Sequence, residues 1–426
     1  MFSRRRFLRR SVGMGSAFAF LSKTYANPIP QDLPADLGTS SEKYWRSVKS
    51  MFPMPMDEAY FNTGTMGAQP TMVLNKVIEN LRWNAEAIAS CDYQGNGPLL
   101  LSGYEAYPEI RKKIASLVGA DFKEIALTQN ATAGMNYISN GLDLKPGDEI
   151  VNTDQEHGGG RAGWQVAAKR YGLVYKQAKI EIPANDPQKV IDSIFKEVTA
   201  KTRVIAVPHL SSVYGIVLPV KEICAEARKR GIFTILDGAQ TIGQISVNVK
   251  EIGCDAYFSS LHKWLLAPAG NGMLYINKDS ISDIWTTLAS YAWENEEDPG
   301  YRLTQRGTGN HSLVVGLDAA LDFHQQVGAG QVVSRIKELG DYLRAGLKEI
   351  PGVSIYSSVH PDMCAGITTY GIEGVSGKDL QNTMWKRKKL QPRAVGEHMI
   401  RHSVHIYNLK SEIAAALEIV KELAES

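Results

Sequence analysis

The sequence predicts an α/β protein: a mostly parallel sheet with helices on both faces, followed by a smaller C-terminal α+β domain. Three observations predict it. Short, almost uninterrupted apolar runs recur at Glu149–Thr153, 203–207, Phe233–Asp237, 256–259 and Gly272–Ile276, the pattern of strands covered on both faces. Segments of helical period separate them, such as 187–199 and 220–230, the latter closed by Gly231 as a C-cap. After about residue 310 this alternation ends. Long helical stretches at 313–327 and 332–350 lead to short strands near 353–356 and 366–372 and a last helix near 409–425.

The start of the chain reads differently. Its 426 residues carry 47 basic and 45 acidic side chains, a balance that argues against a nucleic-acid partner. Residues 1–26 hold six of the basic groups (Arg4, Arg5, Arg6, Arg9, Arg10 and Lys23) and no acid. Taking those six from 47 leaves 41 against 45, so the rest of the chain is mildly acidic at −4. Ser3-Arg4-Arg5-Arg6-Phe7-Leu8-Arg9 resembles a twin-arginine export motif. The apolar run behind it, 12–21, is too short for a bilayer helix, which needs about 20 residues. Thr24 and Ala26 offer a cleavage site. The expectation is therefore a signal peptide over 1–26, handed to the twin-arginine machinery, and a periplasmic mature protein. A linker or arm with one short helix near 41–51 fills 27–59. Cys91, Cys224, Cys254 and Cys364 lack the close spacing of zinc ligands.

In sheets of this kind ligands bind beyond the carboxyl ends of the strands. Strand 233–236 ends in Asp237-Gly238-Ala239-Gln240, and strand 256–259 runs into Ser260-Leu261-His262-Lys263. Strand Glu149–Thr153 is followed by Glu156-His157 and three glycines, and Asn130-Ala131-Thr132 opens a helical stretch. Each has a bland explanation. Asp237 is a possible turn former, Lys263 a solvated charge, Thr132 an N-cap and His157 a loop histidine. Together they supply an amine, a carboxylate, a flat ring and a helix N-terminus for a phosphate, the parts that hold pyridoxal 5'-phosphate.

The chain resembles the class V aminotransferase family of fold type I pyridoxal-phosphate enzymes, and within it the isopenicillin N epimerase-like branch. The resemblance runs from about Tyr60 to the C-terminus. It is carried by the four motifs above, by Arg306-Gly307-Thr308-Gly309-Asn310, and by Arg401 with Tyr407-Asn408. It implies a large cofactor domain over 60–310 and a small domain over 311–426. It also implies roles. Lys263 is the Schiff-base lysine, Asp237 the partner of the pyridine nitrogen, and His157 the stacking ring. Gln240 bonds the ring's phenolate oxygen, while Ala131, Thr132, Ser260 and His262 hold the phosphate. Thr308 reaches the phosphate of a homodimeric partner. Arg401 forks onto the substrate carboxylate, and Asn62 and Gly64 line the substrate pocket.

Cysteine desulfurases in this family carry a mobile cysteine in the loop before that arginine. Here the loop reads Gln391-Pro392-Arg393-Ala394-Val395-Gly396-Glu397-His398-Met399, with no cysteine, and Ser211-Ser212 stand where desulfurases carry paired asparagines. Arg393 is either a second anion contact or a surface charge. The implied activity is epimerase, transaminase or lyase chemistry at the α-carbon of a small amine, amino acid or peptide-like metabolite. Alternatives are decarboxylating tailoring of a secreted siderophore and a non-catalytic cofactor-binding protein. A dinucleotide oxidoreductase is excluded, because no strand leads into the glycine fingerprint it needs.

Overall fold

The structure is a computed structural model and describes residues 41–89 and 104–425. The export motif, the proposed cleavage site and Cys91 lie outside the described residues. The first described helix, α1 (Glu42–Ser50), is capped by the Ser41 side chain, which accepts from Tyr44 N at 3.1 Å. Its Trp45 and Val48 are buried against Trp264, Phe323 and Tyr407. The two-residue strand β1 (Ala59–Tyr60) follows, then helices α2 (Thr71–Glu86) and α3 (Pro108–Val118).

The main sheet alternates strand and helix in chain order. It comprises β2 (Ile125–Thr128), α4 (Ala131–Gly141), β3 (Glu149–Thr153), α5 (Gly158–Tyr171), β4 (Val174–Ala178) and α6 (Pro187–Phe195). It continues with β5 (Thr202–Pro208), α7 (Val220–Lys229), β6 (Phe233–Asp237), α8 (Val249–Ile252), β7 (Ala256–Ser260) and β8 (Gly272–Ile276). Its order is β2-β8-β7-β6-β5-β3-β4. Every pairing is parallel except the two made by β8. Burial of both faces favours apolar residues along a strand, and β2, β3, β7 and β8 are buried throughout, with polar residues such as Asn152 and Ser260 confined toward their ends. Ile205, Val207 and Leu236 pack into the cluster on one face; Val204, Ala206 and Ile235 face the other.

Beyond α9 (Pro299–Thr304) come two long helices, α10 (His311–Val327) and α11 (Ala329–Lys348). The second sheet is built from β9 (Val353–Ile355), β10 (Ile367–Ile372), β12 (Arg393–Val395) and β13 (Met399–Ser403), all antiparallel. Helices α12 (Gly377–Lys388) and α13 (Lys410–Ala424) pack with it, and β11 (Leu390–Gln391) leaves it to pair in parallel with β1. The early segment is thus built into the late one. Ser403 N donates to Phe61 O at 2.7 Å, and the buried Lys49 amine bonds Glu412 of α13.

Candidate active site

Two helices begin where β2 and β3 end, and their first turns face each other. Asn130 caps α4, accepting from Ala133 N at 2.9 Å, and His157 caps α5, accepting from Gly159 N at 3.1 Å. Ala131 N donates to Ser260 Oγ at 2.9 Å, which ties the start of α4 to the end of β7. Helix N-termini present unsatisfied N–H groups and partial positive charge, which suits a phosphate. The glycines of α5 keep the gap open. A Cβ on Gly159 would lie 2.9 Å from Thr132 Oγ1, and one on Gly160 would lie 2.7 Å from Asp237 Oδ2.

A cavity of about 340 Å³ opens between these helix ends and the second sheet. It brings together most of the residues singled out in the sequence: Ala131, Thr132 and His157; Asp237 and Gln240; Ser260, His262 and Lys263; Gly64 and Arg401. Asp237 ends β6 and accepts from Ala239 N at 2.8 Å through Oδ1. Burial raises its pKa, opposed by that N–H and by the charges of Lys263 and His157. Lys263 Nζ makes no hydrogen bond or ion pair with any described residue. Burial lowers its pKa to about 8; Asp237 opposes the shift, and Arg401 and Arg393 add to it. Burial likewise lowers His157 and His262, with Lys263 acting in the same direction on both. His262 Nδ1 is buried and unpartnered among the described residues.

The turn carrying Lys263 is clamped from outside the sheet. Gly67 N donates to His262 O at 2.9 Å, and a Cβ on Gly67 would fall 2.0 Å from Lys263 O. Leu266, three residues on, adopts φ 64, a region that few branched side chains enter. Gln240 is more committed than its sequence role implied. Its Nε2 donates to Gly64 O at 2.9 Å and its Oε1 accepts from Trp264 Nε1 at 2.8 Å, leaving one N–H for a ligand.

Arg401 is 3% exposed and held on three sides. Its Nη1 donates to Ser212 O at 2.6 Å, and its Nη2 to Asn62 Oδ1 at 2.9 Å and Thr65 Oγ1 at 3.1 Å. Burial lowers its pKa to about 10. Asn62 does not line the cavity; it touches the site through Arg401. Thr308 is exposed and does not line the cavity either. The sequence reading missed Thr65 and gave no direct part to Ser212. Thr65 lies one residue beyond Gly64, but nothing local marks its hydroxyl as a partner of Arg401, 336 positions away.

The residues present fit a planar phosphorylated aldehyde. An unpaired buried amine, a carboxylate with one oxygen beside Gly160, an unpartnered His262 nitrogen and two converging helix starts supply its contacts. The class V aminotransferase family model matches residues 60–425. The chain belongs to the class V aminotransferase family. Isopenicillin N epimerase of Streptomyces clavuligerus is 30% identical over 72% of this chain and 81% of its own length. That of Amycolatopsis lactamdurans is 27% identical over 89% and 99%. A probable cysteine desulfurase of Pyrococcus abyssi is also 27% identical, over 89% and 97%. Among solved structures, a mutant of C-DES with glycine linked to its PLP cofactor superposes with a TM-score of 0.77 at 26% identity, covering 88% of this chain and 99% of that one. The cofactor is pyridoxal 5'-phosphate, and the protein is a pyridoxal-phosphate-dependent enzyme of fold type I.

Proposed function

We propose that this enzyme removes the α-proton of an amino-acid-like or peptide-like metabolite, acting in the periplasm as a homodimer. The Lys263 amine carries the reading: buried in the cavity, without a hydrogen bond among the described residues, and influenced by the opposite charge of Asp237 and the like charge of Arg401. When bound, the cofactor supplies an electron-withdrawing ring that stabilises negative charge at the carbon bearing the amine. Asp237 would hold a proton at the ring nitrogen, and His157 would pack against the ring, both lining the cavity. A lysine with a pKa near 8 keeps an appreciable neutral fraction at physiological pH, far more than an ordinary lysine, so it accepts and returns a proton readily. Arg401 fixes the substrate carboxylate, which sets the bond that is broken. Epimerase, transaminase and lyase outcomes differ in where that proton is returned and what leaves.

Sulfur transfer by a protein cysteine is disfavoured. Among the described residues no cysteine lines the cavity; Cys224, Cys254 and Cys364 are buried outside it. The turn between β12 and β13 is only Gly396-Glu397-His398, because Val395 already pairs with Met399. Exposure of Thr308 away from its own cavity suits donation to a second copy, and the Ser3-to-Arg9 motif supports export.

The test is turnover of candidate amino acids and amine-terminated peptides in deuterated water, read by mass. Exchange of the α-hydrogen for deuterium in recovered substrate or its epimer, or loss of that hydrogen in a keto product, is the expected result. A product that retains its α-hydrogen and has lost its carboxylate would replace this reading with decarboxylation. Cell fractionation that finds the protein only in the cytoplasm would remove the periplasmic part.

A further inference from the structure

The proposed reaction uses one guanidinium, but the fold places two side by side. Arg393 in β12 and Arg401 in β13 are direct register partners. Directly opposite residues of an antiparallel pair project from the same face, and like charges there repel. Both side chains converge on one hydroxyl. Arg393 Nη1 donates to Thr65 Oγ1 at 2.9 Å, and Arg401 Nη2 donates to the same oxygen at 3.1 Å. The Thr65 proton is turned away, toward Asn62 Oδ1 at 2.8 Å, so its lone pairs serve both arginines.

No carboxylate accepts from either group among the described residues. The other acceptors of Arg401 are an amide oxygen and a backbone carbonyl. Arg393 makes no further hydrogen bond with the described residues; its Nε and Nη2 remain available at the edge of the cavity that both arginines line. The repulsion is felt in the site, where Arg393 helps to depress both Arg401 and Lys263. One α-carboxylate compensates one arginine and leaves the other unmatched.

We propose that the second anion comes from the substrate, which is therefore a dicarboxylic amine. Its α-carboxylate sits on Arg401. A second carboxylate, on the side chain or on an adjoining residue of a peptide, sits on Arg393. Arg393 is thus a specificity residue, and it acts by binding substrate directly. The inference rests on the α-carbon reading for the role of Arg401, and the test separates the two.

The probes are two pairs that differ in one charge: glutarate against butyrate, which lacks the second carboxyl group, and L-glutamate against L-glutamine, which are matched in size. Dissociation constants for the holoenzyme are measured by calorimetry at low ionic strength, and the visible absorption of the cofactor is recorded with the two amino acids. Glutarate should bind at least tenfold more tightly than butyrate, with a preference that shrinks as salt is added. Arg393→Gln should bring the ratio close to one, and Arg393→Lys should restore part of it. Equal binding of glutarate and butyrate to the native enzyme, or a preference that survives Arg393→Gln, overturns the inference. The native comparison needs no variant, so a misfolded Arg393→Gln does not shelter it. Should neither amino acid alter the cofactor absorption while glutarate still discriminates, the α-carbon reading fails and the second anion site stands.

Discussion

Replacing Gly67 with alanine tests how rigidly the Lys263 turn must be held. The added methyl would sit 2.0 Å from Lys263 O and 2.7 Å from Leu266 Cδ2, whereas nonbonded carbon contacts settle near about 3.5 Å. The two backbones must therefore separate by about 1.5 Å, or the Gly67 N–H to His262 O bond of 2.9 Å must break. Overpacking of this kind costs ~1–3 kcal/mol. The displacement falls on the segment that aims the lysine, and a shift of about 1 Å at reacting groups costs on the order of a hundredfold in rate. Gly67→Ala should fold, lose thermal stability, and turn over roughly a hundredfold more slowly while still binding cofactor. Gly330→Ala is the control, because its Cβ meets nothing within 4 Å in the first turn of α11. Thermal unfolding and single-turnover rates measure both effects. Native rates and native stability in Gly67→Ala would refute the claim that this close approach positions Lys263.

Three further outcomes are expected. Cofactor uptake by the apo-protein should accelerate as pH rises through about 8, since only the neutral Lys263 amine attacks an aldehyde; a stopped-flow rate flat across that range contradicts the buried amine. Stability should fall in mild acid. Burial holds His209 and His324 near 4 and His402 and His405 near 3, against about 6.5 unfolded. Their contribution is complete above pH 6.5 and is lost as pH drops toward the folded values, up to about 1.4 kcal/mol each at pH 5.5; urea midpoints that stay the same or rise between pH 7.5 and 5.5 would contradict it. Arg401→Lys keeps the charge but cannot reach Ser212 O, Asn62 and Thr65 together, so kcat/KM should fall at least about tenfold, as loss of ~1.4 kcal/mol of oriented binding implies.

What the sequence revealed followed its local signals. Phe233–Asp237 and Ala256–Ser260 were legible because burial on both faces forces continuous apolar runs, and their polar ends announced the site. Val174–Ala178 was not, since an edge strand leaves Val174 and Gln177 exposed and Lys176 half-buried, and loses that signature. Ile125–Thr128 is too short to stand out, although Thr132 behind it was found. The hidden part of the site depends on register and long-range closure. Nothing near Arg393 shows that it pairs with Arg401, and nothing near Ser212 shows that its carbonyl holds an arginine 189 residues away. Gln240 lines the cavity, but its bonds to Gly64 and Trp264 come from other segments and left no local signal.

The joining of residues 41–62 to the last fifth of the chain bears on how the enzyme is made. The cofactor cradle, from Asn130 to Lys263, is synthesised well before Arg401. Strand β1 has no pairing partner until β11 emerges, because Ala59 pairs with Leu390, and Lys49 has no carboxylate partner until Glu412 of α13 does. Contacts that span almost the whole chain are slow to close. A ribosome stalled short of residue 401 therefore leaves the cavity without Arg401, which lines it. Completion of the polypeptide, rather than folding of its middle, is the event that finishes the site.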